Sequence, residues 1–135
     1  MNNYFFKAKE IFDNIEFVKT LKINLIDVAE ESAICDFVVL KKHANYIGGL
    51  HGGVVAGVVD TIAFFPGKLL PSGMKLTTSG FNIKFFRPAN LGDKLRAIAK
   101  IIYCGTRRIT VNVDVFFKEN KKIVANASVD LMVLK

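Results

Sequence analysis

One stretch of the chain gathers residue types capable of chemistry: Asn45, Gly48, His51, Gly52 and Gly53, followed by Asp60. Every residue from Gly52 to Val59 is glycine or apolar, so Asp60 is an acid on an otherwise apolar segment. A carboxylate in such surroundings is costly unless it has a partner or a task. The Gly52-Gly53 pair opens the same segment. If the segment is a helix, its first main-chain N–H groups have no acceptor within the helix, and the helix dipole favours negative charge there. A carbonyl aimed at that end would be stabilised as it becomes an oxyanion, and glycine lets it come close. A tight loop-to-helix turn also calls for such a pair, and both uses can hold together.

Spacing then constrains how the two groups could cooperate. Gly52 and Asp60 are eight residues apart, and a helix rises ~12 Å over that distance. A base and an oxyanion donor must each lie ~3 Å from the reacting group. One helix cannot easily present both to one carbonyl. If both act, Asp60 must work with the Gly52 of a second copy, which predicts an obligate two-fold dimer with two shared sites.

The elements that position these residues follow from hydrophobic period. Tyr4 to Phe17 reads as one amphipathic helix, with Phe5, Ala8, Phe12 and Ile15 on one face. Leu21–Ala29 and Ser32–Leu40 read as a hairpin turning at Glu30-Glu31, and Lys41 to Leu50 as a loop. The helix from about Gly52 ends at the breakers Pro66-Gly67. On a helical wheel Val55, Val58, Val59, Ile62 and Phe65 form a bulky face. Gly53, Ala56, Gly57, Asp60, Ala63 and Gly67 form a small-residue strip suited to a tight contact or a thin ligand. Strands follow over Leu76–Arg87, Lys94–Cys104, Ile109–Lys118 and Ile123–Leu134. In the third of these Ile109, Val111, Val113, Val115 and Phe117 alternate with polar residues, so one sheet face is buried. Strands do not alternate with helices. The expectation is an α+β fold, a mostly antiparallel sheet packed on one apolar helix, rather than α/β.

At 135 residues the chain is expected to be a single domain spanning 1–135, large enough for a core without disulfides. Twelve Phe and no Trp point to an aromatic core, with a tunnel lining as the alternative. The net charge of +7 suits an anionic ligand or plain solubility. Its basic residues form no run and no nucleic-acid motif, so nucleic acid is not an expected partner. Cys35 and Cys104 stand alone in apolar runs and read as buried small hydrophobes in a reducing compartment, with no metal site. The N-terminus shows no signal-type stretch. Val54 to Pro66, interrupted by Asp60, falls short of the ~20 residues of a membrane span. No membrane association is expected, and the location is expected to be cytoplasmic.

The pattern Asn45, Gly48, His51-Gly52-Gly53 and Asp60 resembles the hotdog-fold acyl-CoA thioesterases of the phenylacetate-degradation and human thioesterase-superfamily type. Phe81 to Ala89 followed by Gly92-Asp93 also looks like that family's strand and exit turn. The resemblance implies a hotdog domain, its sheet wrapped around one central helix, that hydrolyses an acyl-CoA to free acid and CoA. No cofactor is implied, CoA being part of the substrate. Carried over by position, Asp60 would be the nucleophile or the general base activating water. Gly52 would supply the oxyanion N–H from the partner subunit, with His51 shaping the turn and Asn45 positioning the water or thioester. Thr78 falls where relatives carry an assisting Ser or Thr, although a one-residue slip would substitute Thr77 or Ser79. The assembly implied is a homodimer, paired further as a dimer of dimers. Gly53 would line the substrate site, and Gly105, Thr106, Arg107 and Arg108 would clasp the CoA phosphates together with Arg87 or Lys84. Exposed hairpin charge is the alternative for that basic cluster.

Other chemistries fare worse. No Gly-x-Ser-x-Gly elbow is present, and the His-Phe-Pro-Gly-type motif and helical Glu of a hotdog dehydratase are missing. His43 reads as a loop residue. A non-catalytic acyl-CoA binding or sensing module would use the same pocket without needing Asp60. The Phe-rich walls (Phe64, Phe65, Phe81, Phe85, Phe86) suit an apolar or aromatic acyl group.

Overall fold

The computed structural model describes residues 3–70 and 75–134. Six strands form one sheet: β1 (Asn24–Ala29), β2 (Ser32–Val38), β3 (Lys75–Phe85), β4 (Lys94–Cys104), β5 (Arg108–Phe117) and β6 (Ile123–Leu134). Their order is β1-β2-β4-β5-β6-β3, with every neighbouring pair antiparallel. The alternation read from β5 is realised. Ile109, Val111, Val113 and Val115 are fully buried, beside Ala97 and Ala99 of β4 and Ala125 and Ala127 of β6. Those alanines leave room for the central helix α3 (Gly52–Ile62), which buries Val55, Val58, Val59 and Ile62 against the sheet. The architecture is α+β, as expected.

Two elements at the N-terminus differ from the sequence reading. The single helix expected over 4–17 is two, α1 (Asn3–Asp13) and α2 (Glu16–Leu21), and the following strand starts at Asn24 rather than Leu21. Asn14 donates its side-chain amide to the Glu10 carbonyl, and Ile15 is extended (φ −75°, ψ 121°), so the backbone leaves the helix and restarts. Lys22 closes α2 in a left-handed conformation, with its N–H on the Val18 carbonyl. The expected apolar face still holds, since Phe5, Ala8 and Phe12 are buried and Phe12 packs edge-on to Phe65 at 5.0 Å.

Helix α3 ends at Ile62, before Pro66. The chain there tightens into turns in which Phe64 and Phe65 donate to the carbonyls of Thr61 and Ile62. Strand β3 lies at the sheet edge and carries a bulge between Thr78 and Gly80. Cys35 is buried, and burial, then the neighbouring Asp36 charge, push its thiol far above the usual range. Cys104, expected inside, is exposed near the end of β4.

Candidate active site

The bulge in β3 decides which hydroxyl faces the helix. Thr77 sits opposite Met132 on the outer face, and Ser79 is the extra residue, its hydroxyl donating to the Asp130 carbonyl at 3.2 Å. Thr78 is left facing inward opposite the buried Leu131. Its hydroxyl donates to Asp60 Oδ1 at 2.5 Å, within the short range of O–H···O⁻ bonds. Asp60 is half-buried, and no other protein donor among the described residues reaches its carboxylate. Asp60 lines a groove of about 370 Å³ with largely apolar walls.

The other half of the motif lies at the opposite end of α3. His51 caps the helix: its Nδ1 accepts the Gly53 N–H at 2.8 Å, which places the neutral ring's proton on Nε2. A Cβ on Gly53 would lie 2.9 Å from that nitrogen, so glycine is what lets the cap form. The Gly53 N–H, which the sequence leaves without an acceptor inside the helix, is thus taken by the His51 ring. The Gly52 N–H finds no protein acceptor among the described residues. It opens into a second cavity of about 410 Å³, lined among others by Leu50, Phe85, Phe86 and Arg87. Asn45 turns its side chain onto its own loop, Oδ1 accepting the N–H groups of Ile47 and Gly49 at 3.0 Å each. Gly48 completes that turn at φ +88°, a conformation that favours glycine.

Within one protomer, then, Asp60 and Thr78 meet, and Gly52, His51 and Gly53 meet, but Asp60 and Gly52 line separate cavities. The basic residues divide in the same way. Arg108 lies across β6 from Thr77, through Met132, and Gly105, Thr106 and Arg107 form the β4–β5 turn beyond it. Thr106, Arg107 and Arg108 are exposed. Arg87 lies past the far end of β3, its guanidinium donating to the Ile123 carbonyl at 2.8 Å. Thr77 and Phe85, the last residue of β3 and two before Arg87, are eight strand positions apart, roughly 25 Å at strand rise, so a single protomer does not gather them into one clasp. Lys84 sits on the outer face opposite Asn126, turned away from α3.

Sequence reasoning missed two participants. His43, expected as a loop residue, is 1% exposed. Its Nδ1 accepts the Leu40 N–H at 3.0 Å, so Nε2 carries the proton and donates to the Leu21 carbonyl at 2.8 Å. Its own carbonyl accepts the His51 N–H at 2.8 Å, and the buried ring thus anchors the start of α3. The second omission is the N-terminal region. Ile11, Ile15 and Phe17 form a wall of the Asp60 groove, with Phe64, Leu70 and Leu76 opposite. The available signal was Gly57 in the small strip, against which Phe17 and Leu21 pack. Among the described residues no His, Cys, Asp and Glu cluster could hold a metal ion, and no helix is long and apolar enough to cross a membrane.

Residues 47–124, which include Gly52, Asp60 and Thr78, match the family model described as "Thioesterase superfamily". Human acyl-coenzyme A thioesterase 13 is 32% identical over 104 residues, covering 77% of this chain and 74% of the relative. Thioesterase superfamily member 2 from Mus musculus superimposes with a TM-score of 0.86 at 27% identity, over 98% of both chains. The E. coli PaaI protein of the phenylacetic acid degradation operon superimposes with a TM-score of 0.87 at 23% identity, over 98% of this chain and 94% of that one. A sheet wrapped on an apolar helix, a glycine-opened helix N-terminus and a helical acid thus occur together in a chain that belongs to the thioesterase superfamily, as a thioester hydrolase of the hotdog fold.

Proposed function

We propose that the chain hydrolyses acyl-CoA thioesters and that Asp60 delivers the attack, either with its own oxygen or by deprotonating a water. The observation that carries this reading is that Asp60 lines an apolar groove while Thr78 holds one of its carboxylate oxygens. One carboxylate oxygen is held by a hydroxyl, and the other is left to act beside a surface suited to an acyl group. As the carbonyl carbon is attacked, its C=O electrons move onto oxygen, where the N–H of Gly52 of the partner subunit would receive the charge. Collapse of that adduct breaks the C–S bond and expels the CoA thiolate, which takes up a proton. In the water route the products are the free acid and CoA directly. In the nucleophilic route an Asp60 anhydride is hydrolysed in a second step.

The dimer belongs to the same proposal. On one protomer the two half-sites occupy opposite ends of an 11-residue helix, so shared sites require a second α3 alongside. The free edge of β3, with Phe81, Phe85 and Phe86 about half-exposed, offers a surface for that pairing. In a two-fold assembly Arg87 of one subunit would also come toward the Arg107-Arg108 turn of the other, gathering positive charge for the CoA phosphates. The test is thiol release from acyl-CoA by Asp60→Asn, with sedimentation of both proteins. The variant should lose hydrolysis and sediment as the wild type does. Near-normal turnover, or a fully active wild-type monomer, refutes the arrangement.

A further inference from the structure

We propose that Phe17 is a specificity-determining residue for the acyl group, forming with Ile11 and Ile15 the part of the Asp60 groove that selects longer apolar chains over acetyl. This rests on the reading of Asp60 as the group that attacks an acyl-CoA. The groove holds a single carboxylate and the Thr61 hydroxyl, which donates to the Gly57 carbonyl, among otherwise apolar side chains, and three of those apolar side chains come from α1, α2 and the break between them. Phe17 is 49% exposed and Ile11 44% exposed, so this wall is an open apolar surface continuous with the acid rather than closed core.

The position of the Phe17 ring is fixed from below. A Cβ on Gly57 would fall 2.8 Å from Phe17 Cε2 and 2.9 Å from Cζ, and 3.2 Å from Leu21 Cδ1. The ring therefore lies directly on the helix backbone, three residues before Asp60, which is about 5 Å along the helix axis. An acyl chain advances about 1.3 Å per bond when extended. Acetyl ends before the ring, whereas a chain of six or more carbons leaving a carbonyl at Asp60 passes over it. The break at Asn14-Ile15 is what turns α2 across Gly57, so the irregularity that the sequence concealed also builds this wall.

The experiment measures kcat/KM for acetyl-, hexanoyl- and decanoyl-CoA in wild-type protein, Phe17→Ala, Phe17→Leu and Gly57→Ala. Removing apolar contact with part of a substrate changes specificity by about tenfold or more. The decanoyl-to-acetyl ratio should fall about tenfold in Phe17→Ala and by less in Phe17→Leu. In Gly57→Ala, which keeps the ring but lifts it from its seat, the ratio should also fall. A wild-type chain that hydrolyses the series, with a ratio unmoved by both Phe17→Ala and Gly57→Ala, overturns this inference and leaves the reading of Asp60 intact. A wild-type chain that releases thiol from none of the three overturns both.

Discussion

Thr78 offers the sharpest test of how Asp60 is held. Replacing Thr78 with Val removes one hydroxyl and keeps the β-branched shape that suits strand β3. The inward position opposite Leu131 tolerates an apolar methyl, so the fold should be little affected. What is lost is the 2.5 Å bond to Asp60 Oδ1. A hydrogen bond to a charged group contributes about 1.5–3 kcal/mol. That range bounds the energy orienting the carboxylate, because no other protein donor among the described residues holds it. If orientation is needed only as the bond to the carbonyl forms, the loss falls on kcat rather than KM. At 1.36 kcal/mol per factor of ten, kcat should fall by about ten- to one-hundred-fold.

The assay is steady-state thiol release with one acyl-CoA, alongside thermal melts. Thr78→Ser is the control, since it retains the donor and should keep most of the activity. Turnover of Thr78→Val within twofold of wild type would refute the reasoning, because a freely rotating carboxylate would then serve as well as a held one. An equal fall in Thr78→Ser would also refute it, because the methyl rather than the hydroxyl would then be responsible.

Two further outcomes follow from groups outside the reacting centre. His43→Ala leaves the part-buried Leu40 N–H and the buried Leu21 carbonyl without partners, and should cost about 3 kcal/mol in urea unfolding; a loss below about 1 kcal/mol would mean that the ring does not anchor the start of α3. Asp36 is a pH test. Burial raises its carboxyl, but hydrogen bonds and charge from Arg96 and Lys118 outweigh that and hold it below the usual carboxylate range. A depressed folded value stabilises the fold above the ordinary carboxylate pKa, and the contribution is lost as pH falls through the folded value. The stability gap between wild type and Asp36→Asn should therefore be present at pH 7 and narrow below about pH 4; a gap that is constant down to pH 2.5 contradicts the ion-pair assignment.

The parts of this fold that could be read from sequence are those in which one repeating pattern meets one large surface. The alternation of β5 and the bulky face of α3 answer to the same core, and neither depends on a single contact. The parts that could not be read turn on individual bonds. Asn14 competes for a helical carbonyl and splits one helix into two. The inserted Ser79 selects Thr78 over Thr77, a choice that spacing alone leaves open. His43 looks like any loop histidine until the carbonyl of Leu21, twenty-two residues earlier, closes over its ring. Cys104 follows an apolar run in sequence, yet it is exposed as the last residue of β4.

The small residues of α3 take their meaning from the side chains packed on them. A strip of glycine and alanine around an acid admits two explanations, a tight internal contact or room for a ligand, and sequence treats them as rivals. Gly53 is small so that the His51 cap can form, and Gly57 is small so that Phe17 can lie on the backbone. Both are internal contacts. Each nevertheless builds part of a cavity: the cap consumes the Gly53 N–H and leaves that of Gly52 as the open donor, and Phe17 becomes a wall beside Asp60. Substitution at either glycine should thus disturb function by displacing a neighbouring side chain, with little direct effect on the acid itself. The packing explanation and the functional one are here the same explanation, because the contacts that require glycine are those that shape the two half-sites.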